Sequence, residues 1–253
     1  MLQERRKKIM EMLQEDEIVK VSELMHLFDV SIETIRRDLE YLEERGSLSR
    51  VYGGAVLPQP KAIEPSYEKR EVKNFDEKKA IGEKAVELVQ DNDIIAIDIG
   101  TTTLEFAKAL VGKKRITVIT NSMKIAMVLT VDPDIRVIML GGEVRSGEFS
   151  VSGSLAVSDM NRFNTEKLFL GIGGLSLTKG LTDYHMEETN LRRIAIANTQ
   201  KVIALADYSK IGVIAMNNVC GLEDMDILVT DSQADHSVMS KLQEMGIDVI
   251  VSK

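Results

Sequence analysis

The feature that most restricts the fold of this 253-residue chain is an alternation running from Asp91 towards its end, in which short β-branched runs are separated by amphipathic segments. Ile94–Asp98, Ile116–Thr120 and Ile135–Leu140 have the length and composition of buried strands, and Thr102–Val111 and Ser122–Thr130 between them repeat with helical period. A further helix is expected near Ser152–Met160. Lys167–Gly171 and Lys201–Ala206 flank a helix near Glu187–Asn198, and Ile227–Thr230 and Asp248–Val251 flank a last one over Asp235–Met245. Strands that read as continuous apolar runs are covered on both faces, and strands joined by helices run parallel. The expected architecture is therefore α/β, with a mostly parallel sheet.

Ligands of such sheets bind outside the carboxyl ends of the strands, so the loops that follow strands are the places to search. The first strand ends in Asp98 and runs into Ile99-Gly100-Thr101-Thr102-Thr103, where a glycine, three hydroxyls and the amides of a helix N-terminus suit an anion such as phosphate. The second ends in Thr120-Asn121-Ser122, the third in Gly141-Gly142-Glu143 and the fourth in Gly171-Ile172-Gly173-Gly174, while Asp207 and Lys210 follow the fifth. Together they would make a polar, glycine-lined pocket for a small phosphorylated molecule. None is a nucleotide fingerprint: the first loop lacks the Lys-Ser/Thr pair of a Walker A loop, and Gly171–Gly174 lacks the G-x-G-x-x-G spacing.

Ahead of this region, Ser31–Gly46 carries its own start and stop signals, a capping serine and a terminating glycine. Ile32, Ile35, Leu39 and Leu42 lay one apolar stripe along it, with Arg37 opposite, Thr34 and Tyr41 beside Arg37, and Arg36 on the flank. A helix that enters a DNA major groove with its N-terminal half has this short, polar, cationic face. Ser22–Phe28 reads as a preceding helix with Leu24, Leu27 and Phe28 inward, and Asp29-Val30 as a tight connection. Leu2, Ile9, Met12 and Leu13 mark an earlier helix whose exposed side carries Arg5, Arg6, Lys7 and Lys8. Leu48–Leu57 looks like a hairpin turning at Gly53-Gly54, a wing bearing Arg50 and Tyr52. Three helices and a wing make a winged helix-turn-helix expected to bind DNA through Thr34, Arg36, Arg37 and the wing, with Tyr41 and Tyr52 among the contacting side chains, Ser31 as helix cap and phosphate contact, and Arg5, Arg6 and Arg50 as phosphate contacts. Residues 1–57 nonetheless hold 9 Lys and Arg against 12 Asp and Glu, so DNA binding requires the acids to point elsewhere.

The boundaries expected are 1–57 for this domain, 58–75 for a linker holding Pro58, Pro60 and Pro65, and 76–253 for the α/β domain, opened by an amphipathic helix from Asp76. A net charge of −8 argues against a chain that coats nucleic acid or adsorbs to anionic membranes. No run approaches the roughly 20 apolar residues of a membrane span, and the N-terminus enters a charged helix at once, so a cytoplasmic protein without a signal peptide is expected. One cysteine, Cys220, excludes an internal disulfide framework and a cysteine-based zinc site. The histidines match no metal motif, and neither a metal nor a cofactor is expected.

The runs TIRRDL at Thr34–Leu39 and RVYGGA at Arg50–Ala55 resemble the N-terminal domain of the DeoR family of bacterial transcriptional regulators. Asp98–Thr102 (D-x-G-T-T), Thr120-Asn121, Gly141–Glu143 (G-G-E) and Asp207–Lys210 (D-x-S-K) resemble that family's C-terminal sensor domain, whose fold is similar to ribose-5-phosphate isomerase and coenzyme A transferases. The resemblance implies a repressor of a carbohydrate-utilisation operon, a homodimer or homotetramer that a phosphorylated sugar or polyol releases from operator DNA. The alternative is an isomerase-like enzyme with an accessory nucleic-acid-binding domain, using Asp98, Glu143, Asp207 and Lys210 as acid, base and cation. Fold analogy alone is a poor warrant for it.

Overall fold

The computed structural model describes residues 2–16, 18–45, 47–56 and 64–252. The N-terminal unit runs α1 (Leu2–Asp16), β1 (Ile18–Lys20), α2 (Val21–Phe28), α3 (Ile32–Glu44), β2 (Ser49–Val51) and β3 (Gly54–Val56). Ser31 caps α3, its Oγ accepting from the Thr34 amide at 3.3 Å; the expected stop at Gly46 and the wing's expected end at Leu57 lie outside the described residues. Asp29 joins α2 to α3 in the left-handed region, with φ 48°, a conformation that its short carboxylate side chain tolerates. Ile9, Leu13, Leu24, Ile35 and Leu39 centre the core.

Three expected apolar positions lie outside it, Leu2 being 49% exposed, Leu27 54% and Ile32 39%. In α2 the buried stripe passes through Leu24 with Val21, Met25 and Phe28 packed beside it. The spacing of the last three, by four and then three residues, turns Leu27 away from the core. Ile32 opens α3, ahead of the first fully buried position at Ile35. The wing is larger than expected: β1 pairs antiparallel with β3, giving the order β1-β3-β2. Three residues between two charged helices are too few for alternation to register in the sequence.

The C-terminal unit opens with α4 (Tyr67–Val72) and α5 (Phe75–Ala85). The linker expected over 58–75 therefore contains a helix. Its three prolines all stand before residue 66, so the residues that disfavour a helix end where α4 begins. There follow β4 (Ile94–Ile97), α6 (Thr101–Leu110), β5 (Ile116–Thr120), α7 (Met123–Leu129), β6 (Ile135–Met139), β7 (Glu143–Arg145), β8 (Ser150–Ser152), α8 (Ser154–Met160), β9 (Thr165–Gly171), β10 (Gly174–Ser176), β11 (Gly180–Asp183), α9 (Met186–Ala197), β12 (Thr199–Leu205), β13 (Asn217–Cys220), β14 (Ile227–Thr230), α10 (His236–Glu244) and β15 (Asp248–Val251). Seven strands form one sheet in the order β15-β14-β12-β9-β4-β5-β6, every pair parallel. α5, α6 and α7 bury Ile81, Phe106 and Ile125 on one face, and α8, α9 and α10 bury Ala156, Leu191 and Leu242 on the other.

The strand order sets the position of the site. From β4 the chain moves outward through β5 to β6; from its neighbour β9 it moves the opposite way through β12 and β14 to β15. The loops leaving β4 and β9 consequently diverge and leave a crevice at the carboxyl end of the sheet. Among the described residues, no helix is long and apolar enough to cross a membrane.

Candidate functional site

A cavity of about 350 Å³ lies at that crevice. Gly100, Thr101 and Thr102 line it from the β4 loop, Gly173 from the β9 loop, and Asp207, Ser209 and Lys210 from the β12 loop. Backbone proximity at the floor depends on two glycines: a Cβ on Gly171 would stand 2.6 Å from the Ile99 carbonyl oxygen, and one on Gly100 2.8 Å from Thr103 Oγ1. α6 starts at Thr101, so the amides of its first turn, which lack intrahelical acceptors, open towards the cavity. In a chain of net charge −8, six cationic side chains (Lys69, Arg70, Lys73, Lys78, Arg192 and Lys210) face three carboxylates (Glu64, Asp183 and Asp207) in its lining.

Lys210 stands at the end of a short 3₁₀ turn that Asp207 caps. Asp207 Oδ1 accepts from the Ser209 amide at 3.0 Å and from Asn74 Nδ2 at 2.8 Å, tying the β12 loop to the start of α5. Burial pushes the Lys210 ammonium below its ordinary pKa, against the pull of Asp207. Lys78 is likewise lowered, to about 8, by burial against the pull of Asp207; its ammonium donates to the carbonyls of Arg70 and Lys73 and so closes the carboxyl end of α4.

Asp98 does not line the cavity. It is buried and accepts from Arg192 Nε at 2.6 Å, and Arg192 also lies 3.1 Å from Asp183 and 3.9 Å from Glu188. Burial pushes the Asp98 carboxyl up to about 7 despite Arg192, and the nearby Glu188 and Asp183 add to the rise. Burial works on Asp183 too, but Arg192 and the amides of Tyr184 and His185 prevail and hold it below the ordinary carboxylate value. Asp98 therefore positions Arg192 from outside the cavity lining.

The other expected positions divide clearly. Asn121 is buried, and its Oδ1 accepts from the Ile99 amide at 3.0 Å, which shapes the β4 loop from behind. Thr103 is buried and donates to the Gly100 carbonyl. Gly174 begins β10, against Val213. Gly141, Gly142 and Glu143 lie away from the cavity, because β6 is the edge strand and its loop turns into the β7–β8 hairpin; the Gly141 amide donates to Asp159 and Glu143 is exposed. Asp183, expected near the pocket mouth with His185, does line the cavity, whereas Glu64, Lys69, Arg70, Lys73, Lys78 and Arg192 are side chains of the wall that sequence motifs do not single out. Glu188 and Arg192 do carry a signal, a charged pair at i, i+4 on the stripe of α9 that also holds Leu191 and Ala195.

On α3, Arg37 is exposed and Arg36 is exposed at 3.4 Å from Glu33. Ser31 Oγ lies 3.0 Å from Thr34 Oγ1 beside them, and Tyr52 stands fully exposed at the tip of the wing. The remaining candidates are engaged within the unit. Arg5 and Arg6 direct their Nε atoms at the buried Asp38, at 2.6 and 2.7 Å. Both were expected on the outer side of α1; the buried carboxylate draws them back onto α3. Tyr41 lies between Arg6 and Arg45, whose guanidinium carbons are 3.5 and 4.4 Å from its ring centre. Arg50 pairs with Glu43 at 2.6 Å. Among the described residues no cluster of His, Cys, Asp and Glu is arranged to hold a metal ion.

Residues 5–61 match the DeoR-like helix-turn-helix domain and residues 73–232 the DeoR C terminal sensor domain. The HTH-type transcriptional regulator GolR of Listeria innocua is 36% identical over 250 residues, covering 99% of this chain and 98% of its own. The glycerol-3-phosphate regulon repressor of Escherichia coli is 32% identical over 241 residues, covering 95% of each. Among solved structures, ribose 5-phosphate isomerase A of Neisseria gonorrhoeae is 24% identical over 53% of this chain and 52% of its own, with a TM-score of 0.39, a likeness too slight to carry the isomerase alternative. Both full-length relatives are named for transcriptional regulation, both domains match in order, and the chain belongs to the DeoR family of transcriptional regulators.

Proposed function

We propose that the chain represses a carbohydrate-utilisation operon by binding operator DNA through Ser31, Thr34, Arg36 and Arg37 of the α3 face with Tyr52 of the wing, and that a phosphorylated sugar or polyol in the sensor cavity releases it. The observation that carries this reading is the concentration of cations in the crevice of an acidic protein, at the N-terminus of α6. A phosphate there meets free amides, the hydroxyls of Thr101 and Thr102 and the ammonium of Lys210. A relative named for the glycerol-3-phosphate regulon agrees with an effector of this size and charge. One winged domain reads few base pairs, so a homodimer or homotetramer is part of the proposal. Half-sites about 10 base pairs apart, or a multiple of that, would suit it. Exposed Met127, Val131 and Leu155 supply apolar surface for such an assembly.

The test is a titration of the full-length protein against its own promoter region at fixed salt, with and without a panel of sugar and polyol phosphates. Specific binding that one phosphorylated compound weakens, and its dephosphorylated form does not, is the expected result. Lys210→Met should keep the binding and lose the response. Release by an uncharged sugar, or normal release of Lys210→Met, would place the effector elsewhere.

A further inference from the structure

The cavity wall already contains an anion that belongs to the chain. Glu64 stands eight positions after Val56, the last residue of β3, with residues 57–63 between them. Its side chain is 10% exposed; Oε1 lies 2.8 Å from Arg70 Nη1 and Oε2 2.8 Å from Arg145 Nη2. Arg70, like Glu64, lines the cavity. Behind this contact a continuous series of charges reaches the floor: Arg145 lies 3.2 Å from Glu188, Glu188 lies 3.9 Å from Arg192, and Arg192 holds Asp98 at the end of β4. Arg70 also holds Glu148, but Glu148 is not in the lining. Of the two carboxylates on Arg70, Glu64 is the one that an incoming anion meets.

We propose, on the reading of the cavity as a phosphate site, that Glu64 is an internal stand-in for the effector phosphate: it occupies Arg70 while the cavity is empty and yields that guanidinium when a phosphorylated effector binds. Glu64 is the first described residue after residues 57–63, and it ties the chain just ahead of α4 to the cavity wall; Arg45 of the DNA-binding unit separately donates to the Gln233 carbonyl at 2.7 Å. Displacement of Glu64 therefore loosens the hold on the chain at the entry to the sensor unit and couples that point to occupancy of the cavity. The coupling is reciprocal: whatever factor the Glu64 contact takes from phosphate affinity, phosphate takes from the Glu64 contact.

The experiment uses the full-length protein with inorganic phosphate as probe. Calorimetric titration gives affinity, and hydrogen–deuterium exchange is followed in peptides covering residues 64–66. In the unsubstituted chain phosphate should raise exchange at these residues. Glu64→Gln should show the raised exchange without phosphate and bind phosphate roughly 5-fold tighter or more. Glu64→Asp, which keeps the charge, should stay near the parent in affinity. Lys210→Met should weaken phosphate binding and leave the basal exchange at residues 64–66 as it was. Phosphate binding that leaves these residues unchanged or protects them overturns the displacement and spares the cavity reading. Tighter binding by Glu64→Gln with unaltered exchange marks only the loss of a nearby negative charge and also overturns it. If phosphate does not bind, or binds equally well to Lys210→Met, the cavity reading falls and the inference with it.

Discussion

Arg192, in the wall of the sensor cavity, balances three carboxylates, Asp98, Asp183 and Glu188, so the cations without a carboxylate this close are to be sought on its other side, at Lys210 and at Lys78, whose ammonium also holds the carboxyl end of α4. Their depressed pKa values give the site a pH signature. An anion binds the protonated ammonium; with Lys78 lowered to about 8, that attraction is fully present at pH 7 and is lost as the pH rises through 8. A phosphate monoester is already largely dianionic at pH 7, its second pKa lying near ~6. Effector affinity should therefore hold level to about pH 7.5 and then decline by up to roughly tenfold per unit. Titrations between pH 7 and 9.5 would show it, and Lys78→Arg, whose charge persists, should remove the decline; an unchanged decline in that variant would assign it to Lys210. On the DNA-binding unit the residue to test is Arg37, exposed on α3. Arg37→Ala should lower affinity for the operator by about 1–3 kcal/mol, the size of one good base contact, with little effect on affinity for an unrelated duplex. Equal losses on both sequences would reduce Arg37 to a phosphate contact.

Among the elements, α3 shows how an acidic sequence presents a cationic face. Its Asp38 is buried and held by Arg5 and Arg6 of α1, and Glu43 by Arg50 of the wing. Arg36 and Arg37 point outward, Arg36 beside the exposed Glu33, while Glu40 stays exposed nearer the carboxyl end of the helix. The clamp has a structural consequence that can be measured. Asp38→Ala leaves two guanidiniums at the α1–α3 contact without their common partner. Because these remain partly exposed, at 15 and 18%, the cost should be about 2–3 kcal/mol, below that of breaking a wholly buried pair. Urea unfolding followed by far-UV circular dichroism would reveal it as an earlier transition of the N-terminal unit. An unchanged midpoint would make the ion pairs incidental. The same ion pairs explain why Arg5 and Arg6 were placed on the outside by helical period: periodicity ranks apolar against polar positions and is blind to a buried acid one helix away.

Across the whole molecule, the crevice between β4 and β9 is where a ligand would meet the chain, and the apolar surface at the end of α7 is where a second copy would. Met127 and Val131 are 72 and 75% exposed; replacing both with Glu should turn the proposed oligomer into a monomer by light scattering and weaken operator binding, while effector binding by the monomer persists. Unchanged mass would move the interface to another face. Much of this architecture was legible in the residues: buried strands joined by helices can only build a parallel sheet, Ser31 announces α3, and the glycine-rich strand ends mark the carboxyl edge where a ligand must lie. These are local properties, set by side-chain period, capping and turn chemistry within a few residues. Strand order is not local. That β9 sits beside β4 while β6 lies at the edge decides that Gly100, Gly173 and Lys210 share a cavity and that Gly141, Gly142 and Glu143 do not. Nor can a sequence show that Asp98 is spent on an arginine 94 positions away, or that Glu64 reaches Arg70 and Arg145. Pairing between distant charges depends on how helices and loops pack in three dimensions, and that only the tertiary structure decided.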